Sequence, residues 1–395
     1  MNKKVCMLVM NEVSSDPRVT KEASIVGQKC QLTVVGERYS LEKAAHEKTG
    51  CYQICRINSI KNDKGGKASV FKKVIRKLVA AVKIGQAAFK QNADIYHAHD
   101  FEMLPVAFVA AKLRKAKLVY DSHELWIEQR PDFPPLFKKV VMLVEGWLVK
   151  RTDEIITVNE SIANELKSRY QLKKKPIILH NFTMKQAITT KIPAKETSDP
   201  IIVLYHGGYM KDRGLEELIK SFEYVSANVV LHLRGFGPIE AELRDIAQNL
   251  IKEGKVVFCP PVSMTELVKE AQNADIGVIP YKPTCLNNLY SFPNKLSEYL
   301  MAGLAVCASE IPEISRLNQQ VHFGKLFDPF NPESIAKAIN ELAADKMKLQ
   351  KCRENALKWS LTEGNWEAES KKLDDLYNRL LGVNHEKNHL DHQSI

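Results

Sequence analysis

The strongest constraint on the fold is an alternation, along the whole chain, of short apolar runs with longer amphipathic stretches. A short apolar run bounded by turn residues is typical of a buried strand, whereas apolar residues at helical spacing indicate a helix. In the first half, the predicted strands are 5–10, 32–35, 94–97, 118–121, 154–158 and 177–179. The predicted helices between them are 17–28, 70–91, 103–114, 136–151 and 161–170. Strands that alternate with helices predict a parallel sheet covered on both faces.

A polar segment with two prolines and no periodicity, residues 184–200, interrupts this pattern and is predicted to be a linker. The pattern then restarts, with predicted strands at 201–205, 229–234, 256–258, 276–279 and 305–308. The predicted helices there are 215–224, 238–251, 264–272 and 294–301. The chain is therefore predicted to be an α/β protein with two Rossmann-like, doubly wound domains that face a cleft. Ligands bind such folds at the carboxyl ends of the strands.

The predicted domains are residues 1–183 and 201–360, on either side of the linker. Apolar residues at helical spacing over 356–381 predict a closing helix, assigned to 361–383, that packs back across both domains. Residues 384–395 are polar and are predicted to be a disordered tail. The apolar start of the chain is interpreted as a first strand, since no small-residue cleavage site follows it.

The net charge of +10 needs a partner or another reason, and by itself it does not decide between them. Nucleic acid, an anionic membrane surface and a diphosphate-bearing substrate all fit this charge. No RNP, helix-turn-helix or zinc-finger pattern is present, so we expect no nucleic acid. The eight scattered cysteines form no CxxC pair, which favours reduced thiols in a cytoplasmic protein without bound metal or other cofactor.

Two glycine-containing turns follow predicted strands of the second domain. The first runs through Gly207, Gly208 and Arg213 to a predicted helix start, and the second contains Gly235 and Gly237. Glycine lets backbone approach a ligand closely, a helix amino end attracts phosphate, and arginine offers a planar fork to phosphate oxygens. Each turn alone is as often only a turn, but two in one domain suggest a bound nucleotide.

The segment 287–303 has the most specific chemistry. Ser291 or Pro293 would start a helix whose first turn contains Lys295. A cation there opposes the helix dipole, so a bound anion would explain it. Glu298 lies on the same helix face and could accept the two hydroxyls of a ribose. The alternative is a solvated Lys–Glu pair.

The run Pro-Asn-Lys-Leu-x-Glu-Tyr-Leu-x-Ala-Gly at 293–303 resembles the donor-site signature of family-4 retaining glycosyltransferases of the GT-B fold (group 1). Residues 207–214 resemble the phosphate loop of that family, and 235–238 its second glycine turn. Residues 96–100 and 120–124 resemble its two histidine-bearing strand ends, and 15–19 its first loop. The match covers nearly the whole chain in order.

The resemblance implies metal-independent sugar transfer with retention, from a nucleotide-diphosphate sugar to a hydroxyl of a lipid-linked or glycan acceptor. It favours UDP-sugars, with guanosine left open, and a role in cell-surface polysaccharide or glycoconjugate biosynthesis. The implied catalytic residues are His123, Arg213, Lys295 and Glu298. The implied donor-binding residues are Gly207, Gly208, Arg213, Gly235, Phe236, Gly237, Val262, Tyr290, Ser291, Pro293, Asn294, Lys295 and Glu298. The acceptor side would contain Asp16, Arg18, His99 and Asp100, with His99 chosen over His97 as the strand-end histidine that faces the cleft.

Three positions depart from the family pattern. Tyr290 stands where the family commonly has the first of two glutamates, and Gly208 and Arg213 replace an arginine and a lysine of its phosphate loop. The departures at Tyr290 and Gly208 keep open a non-catalytic nucleotide-sugar-binding partner of another transferase. A sugar-nucleotide epimerase or hydrolase on the same fold is a further alternative, although no additional acid–base carboxylate pair is evident.

Residues 61–90 form a basic amphipathic stretch. The stretch could lie on an anionic membrane beside a lipid-linked acceptor, which would place the protein at the inner face of the plasma membrane. The alternative is a solvated surface helix with its apolar side in the domain.

Overall fold

The computed structural model confirms the predicted fold class: two parallel-sheet α/β domains. It describes residues 3–40, 42–58, 70–129, 132–186, 199–226 and 228–382, with the side chains of 70–74 left aside. The residues predicted to form most of the linker and the C-terminal tail lie outside the described residues. No helix within the described residues is long and apolar enough to span a bilayer.

The first sheet has eight strands in the order β3-β4-β2-β1-β5-β6-β7-β8. Its strands are β1 (Lys4–Leu8), β2 (Gln31–Arg38), β3 (His46–Lys48), β4 (Gln53–Asn58), β5 (Ile95–His99), β6 (Lys117–Ser122), β7 (Glu154–Thr157) and β8 (Ile177–Ile178). All neighbours are parallel except β3 and β4. The central strands are buried on both faces, so β1 is apolar at every position after Lys4, and β5 buries even its two histidines.

Five helices cover this sheet: α1 (Pro17–Val26), α2 (Val70–Lys90), α3 (Asp100–Arg114), α4 (Pro135–Val149) and α5 (Glu160–Tyr170). Side-chain caps fix two of their starts. Asp16 accepts from the backbone N–H groups of Arg18 and Val19, and Asn159 accepts from that of Ile162. Both caps directly follow a strand-to-helix loop at the carboxyl edge, so the caps also shape the rim of the cleft.

The second sheet has six parallel strands in the order β11-β10-β9-β12-β13-β14. They are β9 (Ile201–Gly208), β10 (Val229–Phe236), β11 (Val256–Cys259), β12 (Ile276–Ile279), β13 (Ala305–Ser309) and β14 (Gly324–Phe327). The helices of this domain are α6 (Leu215–Ser221), α7 (Glu240–Ile246), α8 (Gln248–Lys252), α9 (Leu267–Ala271), α10 (Leu286–Leu289), α11 (Asn294–Met301), α12 (Pro312–Val321) and α13 (Pro332–Ala343).

The C-terminal region forms two helices rather than the predicted single one over 356–381. They are α14 (Lys346–Thr362) and α15 (Trp366–Leu381). The break follows from Asn365, whose side chain caps α15 by accepting from the N–H of Ala368. Because of this break, α14 stays on the second domain while α15 packs against α1 of the first. Its buried residues Trp366, Leu373, Leu376 and Tyr377 belong to the apolar cluster under β1 and β2.

Several elements have no counterpart among the predictions. Strands β3, β4 and β14 and helices α10, α12 and α13 lie in segments left unassigned. The predicted helix over 238–251 is two helices, α7 and α8, separated at Ala247. These elements lie at sheet edges or in short crossovers, where weaker apolar periodicity gives a less specific signal.

The packing of α15 on the first domain predicts a large loss of stability in Leu376→Ala. Leu376 is fully buried, so truncation removes its packing and leaves a cavity, which typically costs about 2–5 kcal/mol. Urea unfolding measures the change in the free energy of unfolding. The control is Leu113→Ala, since Leu113 is 67% exposed and should cost little in solution. Equal effects of both substitutions would contradict the docked position of α15.

Candidate active site

The two domains meet through polar contacts at the carboxyl ends of their sheets. The side chain of Asn287 bridges the cleft: its oxygen accepts from the N–H of Leu125 at 3.0 Å, and its amide donates to Glu124 at 3.0 Å. The Asn159 amide donates to the backbone oxygen of Tyr290 at 2.7 Å. These contacts, which sequence reasoning missed, place the predicted donor segment against the histidine-bearing strand ends.

On the donor side, the side chain of Lys295 is buried beneath the first glycine turn. Its ammonium donates to the phenol oxygen of Tyr281 at 2.9 Å and lies over the ring of Tyr205 at 4.6 Å. A side-chain Cβ placed on Gly207, where φ is +127°, would lie 3.1 Å from that ammonium. A larger residue at 207 would therefore be strained and would crowd the ammonium.

Arg213 joins Lys295 at the same tyrosine. The Arg213 guanidinium lies over the Tyr281 ring at 4.2 Å. Burial alone would raise the pKa of Tyr281, but Lys295 and Arg213 outweigh it and lower that pKa. Within the part of the chain that the structure describes, neither cation has a carboxylate within ion-pair distance. Two cations on one ring without an anion form a site suited to a diphosphate. Sequence reasoning missed Tyr281.

The two glycine turns lie side by side because β9 and β10 pair in register. Gly235 is opposite Gly207, and Phe236 is opposite Gly208. A Cβ on Gly235 would lie 1.9 Å from the backbone oxygen of Gly207, and one on Gly237 would lie 2.2 Å from that of Tyr209. Only glycine permits these turns to pack, which keeps the backbone flat at the edge of the cleft.

Glu298 is held by a residue that sequence reasoning missed. One of its carboxylate oxygens pairs with Nε2 of His206 at 2.7 Å, and the His206 ring lies tilted against that of Tyr299, with centroids 4.6 Å apart. The side chain of Glu298 remains 21% exposed, so it is positioned yet accessible. The carboxylate of Glu298, predicted to accept hydrogen bonds from a ribose, is thus held in place by a residue of its own domain.

The other predicted donor residues surround these groups at differing depths. Phe236 is 68% exposed at the end of β10, Gly208 is exposed, and Val262 is half-buried in the loop after β11. Pro293 precedes the first turn of α11, where Asn294 accepts from the amide of Asn181 at 3.1 Å. The Ser291 hydroxyl donates to the Asn288 carbonyl at 2.8 Å. Tyr290 packs against the first domain's core, so its side chain contributes to the domain contact.

On the opposite side, His123 lies between two carboxylates. Its Nδ1 is 3.3 Å from Asp100, its Nε2 is 3.1 Å from Asp121, and its backbone N–H donates to Asp100 at 3.0 Å. Asp100 adopts a left-handed backbone, with φ at +62°, to make these contacts. Burial by itself would lower the pKa of His123, but Asp100 and Asp121 raise it to about 10. The two carboxylates therefore favour the imidazolium form of His123, whose side chain remains 15% exposed.

Arg18 and His99 were expected on the acceptor side, and the structure corrects this. Arg18 is only 3% exposed and forms a bidentate ion pair with Asp121, with both N–O distances 2.8 Å. His99 is 1% exposed, and its Nδ1 lies 3.1 Å from Nε2 of His123. His97 is also buried, so neither strand-end histidine faces the cleft. His97 and His99 both lie on the central strand β5, whose two faces are covered by helices.

Asp16 is half-buried at the start of α1, at the carboxyl edge of the sheet. Its carboxylate caps α1 and accepts from the Asn11 amide at 2.8 Å. Burial would raise its pKa, but His123 and Asn11 lower it overall. Asp16 is thus an anion within the field of His123.

Below His123, the described residues contain one set of side chains close enough to share a cation: Glu22, His97, His99 and Asp121, whose ligand atoms lie within 4.8 Å of one another. The Arg18 guanidinium is already 3.0 Å from Glu22 and 2.8 Å from Asp121. Burial and the neighbouring Asp121 raise the pKa of Glu22. The Arg18 guanidinium is therefore already a cation in contact with the carboxyl groups of Glu22 and Asp121.

Comparison with known proteins fits this geometry. A family model described as glycosyltransferase family 4 matches residues 25–184, and one described as glycosyl transferases group 1 matches residues 188–359. An uncharacterized glycosyltransferase of Methanocaldococcus jannaschii is 24% identical over 72% of this chain and 75% of its own length. TuaH of Bacillus subtilis, named for teichuronic acid biosynthesis, is 23% identical over 51% of this chain and 53% of its own.

Two solved structures show the same architecture. Sucrose-phosphate synthase from Thermosynechococcus elongatus superposes with a TM-score of 0.73 at 16% identity, covering 97% of this chain and all of its own. HepE of Anabaena, solved with UDP and glucose, superposes at 0.68 with 14% identity, covering 95% of this chain and all of its own. The protein is a glycosyltransferase with the GT-B fold. Since the two family models together span both domains, the chain belongs to the family-4, group 1 glycosyltransferases.

The paired cations predict that Lys295→Met weakens the binding of inorganic pyrophosphate. A charge-assisted hydrogen bond contributes about 1.5–3 kcal/mol, so affinity should fall roughly ten- to hundredfold in calorimetric titration. Lys269→Met, on α9 of the same domain, controls for the loss of one charge. If both variants bind pyrophosphate equally well, Lys295 is not part of the anion site.

The imidazolium of His123 predicts a stability that depends on pH. A pKa raised from about 6.5 to about 10 on folding contributes fully below pH 6.5 and progressively less as the pH rises to 10. The stability advantage of the parent protein over His123→Gln, measured by urea unfolding, should shrink over that interval. The control is His46→Gln, at an exposed position, which reports any pH effect that follows from the loss of a histidine in general. A constant difference between pH 6 and 10 would refute the charged state.

Proposed function

We propose that this chain transfers a sugar from a UDP-sugar to a hydroxyl of a lipid-linked or glycan acceptor, with retention of anomeric configuration. The product would be a cell-surface polysaccharide or glycoconjugate. The observation that carries the proposal is the pair of cations, Lys295 and Arg213, held on Tyr281 beside the start of α11. A nucleoside diphosphate supplies the negative charge that this pair needs.

We base the preference for uridine on solved structures of similar fold. HepE of Anabaena was solved with UDP-glucose as well as with UDP and glucose. A polysaccharide role draws on the name of the Bacillus subtilis relative. Both suggestions concern other proteins.

In the proposed reaction, the bond between the anomeric carbon and the diphosphate oxygen breaks while the acceptor oxygen bonds to that carbon on the same face. The acceptor's proton passes to a leaving phosphate oxygen, which balances the step. Lys295 and Arg213 stabilise the charge that grows on the diphosphate. Removal of one such group typically slows the chemical step by about 10²–10³.

Glu298 would hold the ribose hydroxyls, with His206 fixing its orientation. On the other side, the imidazolium of His123 would donate to a hydroxyl of the donor sugar. Asp100 and Asp16 would shape the acceptor side. Arg18 and His99 would act through Asp121 and His123, as positioning residues rather than through contact with substrate.

Metal independence also belongs to the proposal. The two side-chain cations would supply the positive charge that a metal ion gives in other transferases. The reaction should then proceed unchanged in EDTA.

A thermal-shift screen against UDP, GDP and ADP tests the donor site. A nucleotide that binds only the folded state stabilises it by about 2.7 kcal/mol at a hundredfold excess over its dissociation constant. UDP should shift the melting temperature most, and Lys295→Met should abolish the shift while Lys269→Met retains it. A larger shift with GDP would overturn the uridine preference, and no shift with any nucleotide would favour the non-catalytic alternative.

The slow transfer of glucose from UDP-glucose to water tests the chemistry without a known acceptor. Proton NMR should show α-glucose as the first anomer formed, at the same rate with or without EDTA. Initial β-glucose would refute retention, and loss of the reaction in EDTA would refute metal independence. Rapid release of UDP that no hydroxyl acceptor increases would favour the hydrolase alternative.

A further inference from the structure

The outer surface of the first domain exposes many large apolar side chains. They lie on three helices, α2, α3 and α4. The most exposed are Leu78 on α2, Leu113 on α3, and Leu136 and Leu143 on α4, each with more than three fifths of its surface accessible. Trp147, near the end of α4, is half exposed. A contiguous apolar area of this kind on a folded domain marks an interaction surface.

Contacts between the helices make these positions one surface. The close approach at Gly85, where a Cβ would lie 3.0 Å from the Val106 Cβ, packs α2 against α3. The ring of Phe108 on α3 meets that of Trp147 on α4, with their centroids 5.2 Å apart. We call the outer side of α2, α3 and α4 the apolar face.

Most charges around the apolar face are basic. The acidic residues of α3 are Asp100, which pairs with His123, and Glu102, which pairs with Lys77 of α2. Helix α2 contains several lysines and one arginine but no acidic residue. Helix α4 has one acidic residue, Glu145, which is buried and accepts from the phenols of Tyr120 and Tyr170. The carboxylate of Glu145 is therefore buried and hydrogen-bonded inside the domain. The exposed charges of α4 are those of its lysines.

A cavity of about 670 Å³ opens between α4 and the end of α5, beside the apolar face. Its lining includes Lys139, Lys150 and Arg169 together with Leu143 and Trp147. Arg169 is already paired with Glu128 and Glu165, each at 2.8 Å. Within the described ranges, neither Lys139 nor Lys150 is paired with a carboxylate, so these two lysines are the cations left for a phosphate. The cavity thus combines cations for a phosphate with an apolar wall that continues into the exposed helix surface.

We propose that the apolar face lies on an anionic phospholipid bilayer, with the exposed side chains of α4 at the acyl boundary and a lipid phosphate in the cavity between α4 and α5. Apolar side chains rimmed by lysine and arginine are the chemistry of a membrane-surface helix. A second copy of this chain on the same face would bring basic side chains against basic ones, which disfavours a dimer.

The apolar face also connects to the cleft. Rings run from Phe137 on α4 through Phe133 to Trp126, with centroids 5.1 and 6.0 Å apart. Trp126 follows Leu125, whose backbone N–H donates the interdomain hydrogen bond to the side-chain oxygen of Asn287. A bilayer on this face would therefore present a lipid-linked acceptor at the rim of the cleft, a consequence that rests on the proposed function. The lipid site itself does not.

Co-sedimentation of the full-length protein with vesicles tests the site. Binding should be strong to phosphatidylcholine vesicles that contain about 30 mol% phosphatidylglycerol, and weak to vesicles of phosphatidylcholine alone. The double variant Lys139→Gln/Lys150→Gln should bind about thirtyfold more weakly, since each lysine near an anionic surface contributes about 1 kcal/mol. Leu143→Ser with Trp147→Ala should weaken binding at least about tenfold.

The matched control is Lys252→Gln/Lys358→Gln, which removes two exposed charges from the second domain. It should bind vesicles as the parent protein does. Unchanged pyrophosphate binding by every variant shows that each is folded and separates this test from that of the transfer reaction. Equal weakening by the control, absence of vesicle binding, or a dimer in light scattering that Leu143→Ser dissociates would each overturn the proposal.

Discussion

The buried ion pair between Arg18 and Asp121 is the interaction on which the histidine cluster of the first domain depends. It joins the first turn of α1 to the end of β6, and Arg18 also donates to the backbone oxygen of Leu179 at 2.7 Å. Two charges without solvent are costly to bury, and breaking such a pair by removing one partner costs about 3–5 kcal/mol. Burial would raise the pKa of Asp121, but Arg18 and His123 hold it well below its usual range. The anion beneath His123 is therefore permanent, and it keeps the imidazole charged and oriented.

The second domain also buries a charged side chain, but here the charge is positive and has no carboxylate partner among the described residues. Lys295 is buried among tyrosines rather than carboxylates, so its charge is left for a ligand. An ammonium paired with a carboxylate would attract a diphosphate far less, because the pair has no net charge. The close-packed glycine turns bring backbone to the same place. One domain thus provides a fixed imidazolium, and the other provides cations that lack an anion.

The helix layer on the first domain links this chemistry to the surface. Glu145 ties α4 to strand β6 through the phenol of Tyr120 and to helix α5 through that of Tyr170, which lets the rest of α4 remain apolar and exposed without loss of packing. On the other side of the sheet, α15 brings Tyr377 to 2.8 Å from His97. The end of the chain thereby supports the strand that leads to Asp100.

The sequence by itself determined the two α/β domains and singled out the segment at 287–303 as a predicted donor site. Apolar periodicity encodes strands and helices locally, and the Lys–Glu spacing follows from helix geometry. It did not identify Tyr281 or His206, since single aromatic or histidine residues carry no periodic signal and become partners only when β9, β12 and α11 meet. Tertiary structure alone decided that Arg18 and His99 are buried supports, because the register that places His99 beside Asp121 depends on the pairing of distant strands. It also decided that α4 has an exposed apolar side, since the same spacing would equally suit a helix buried against a neighbour.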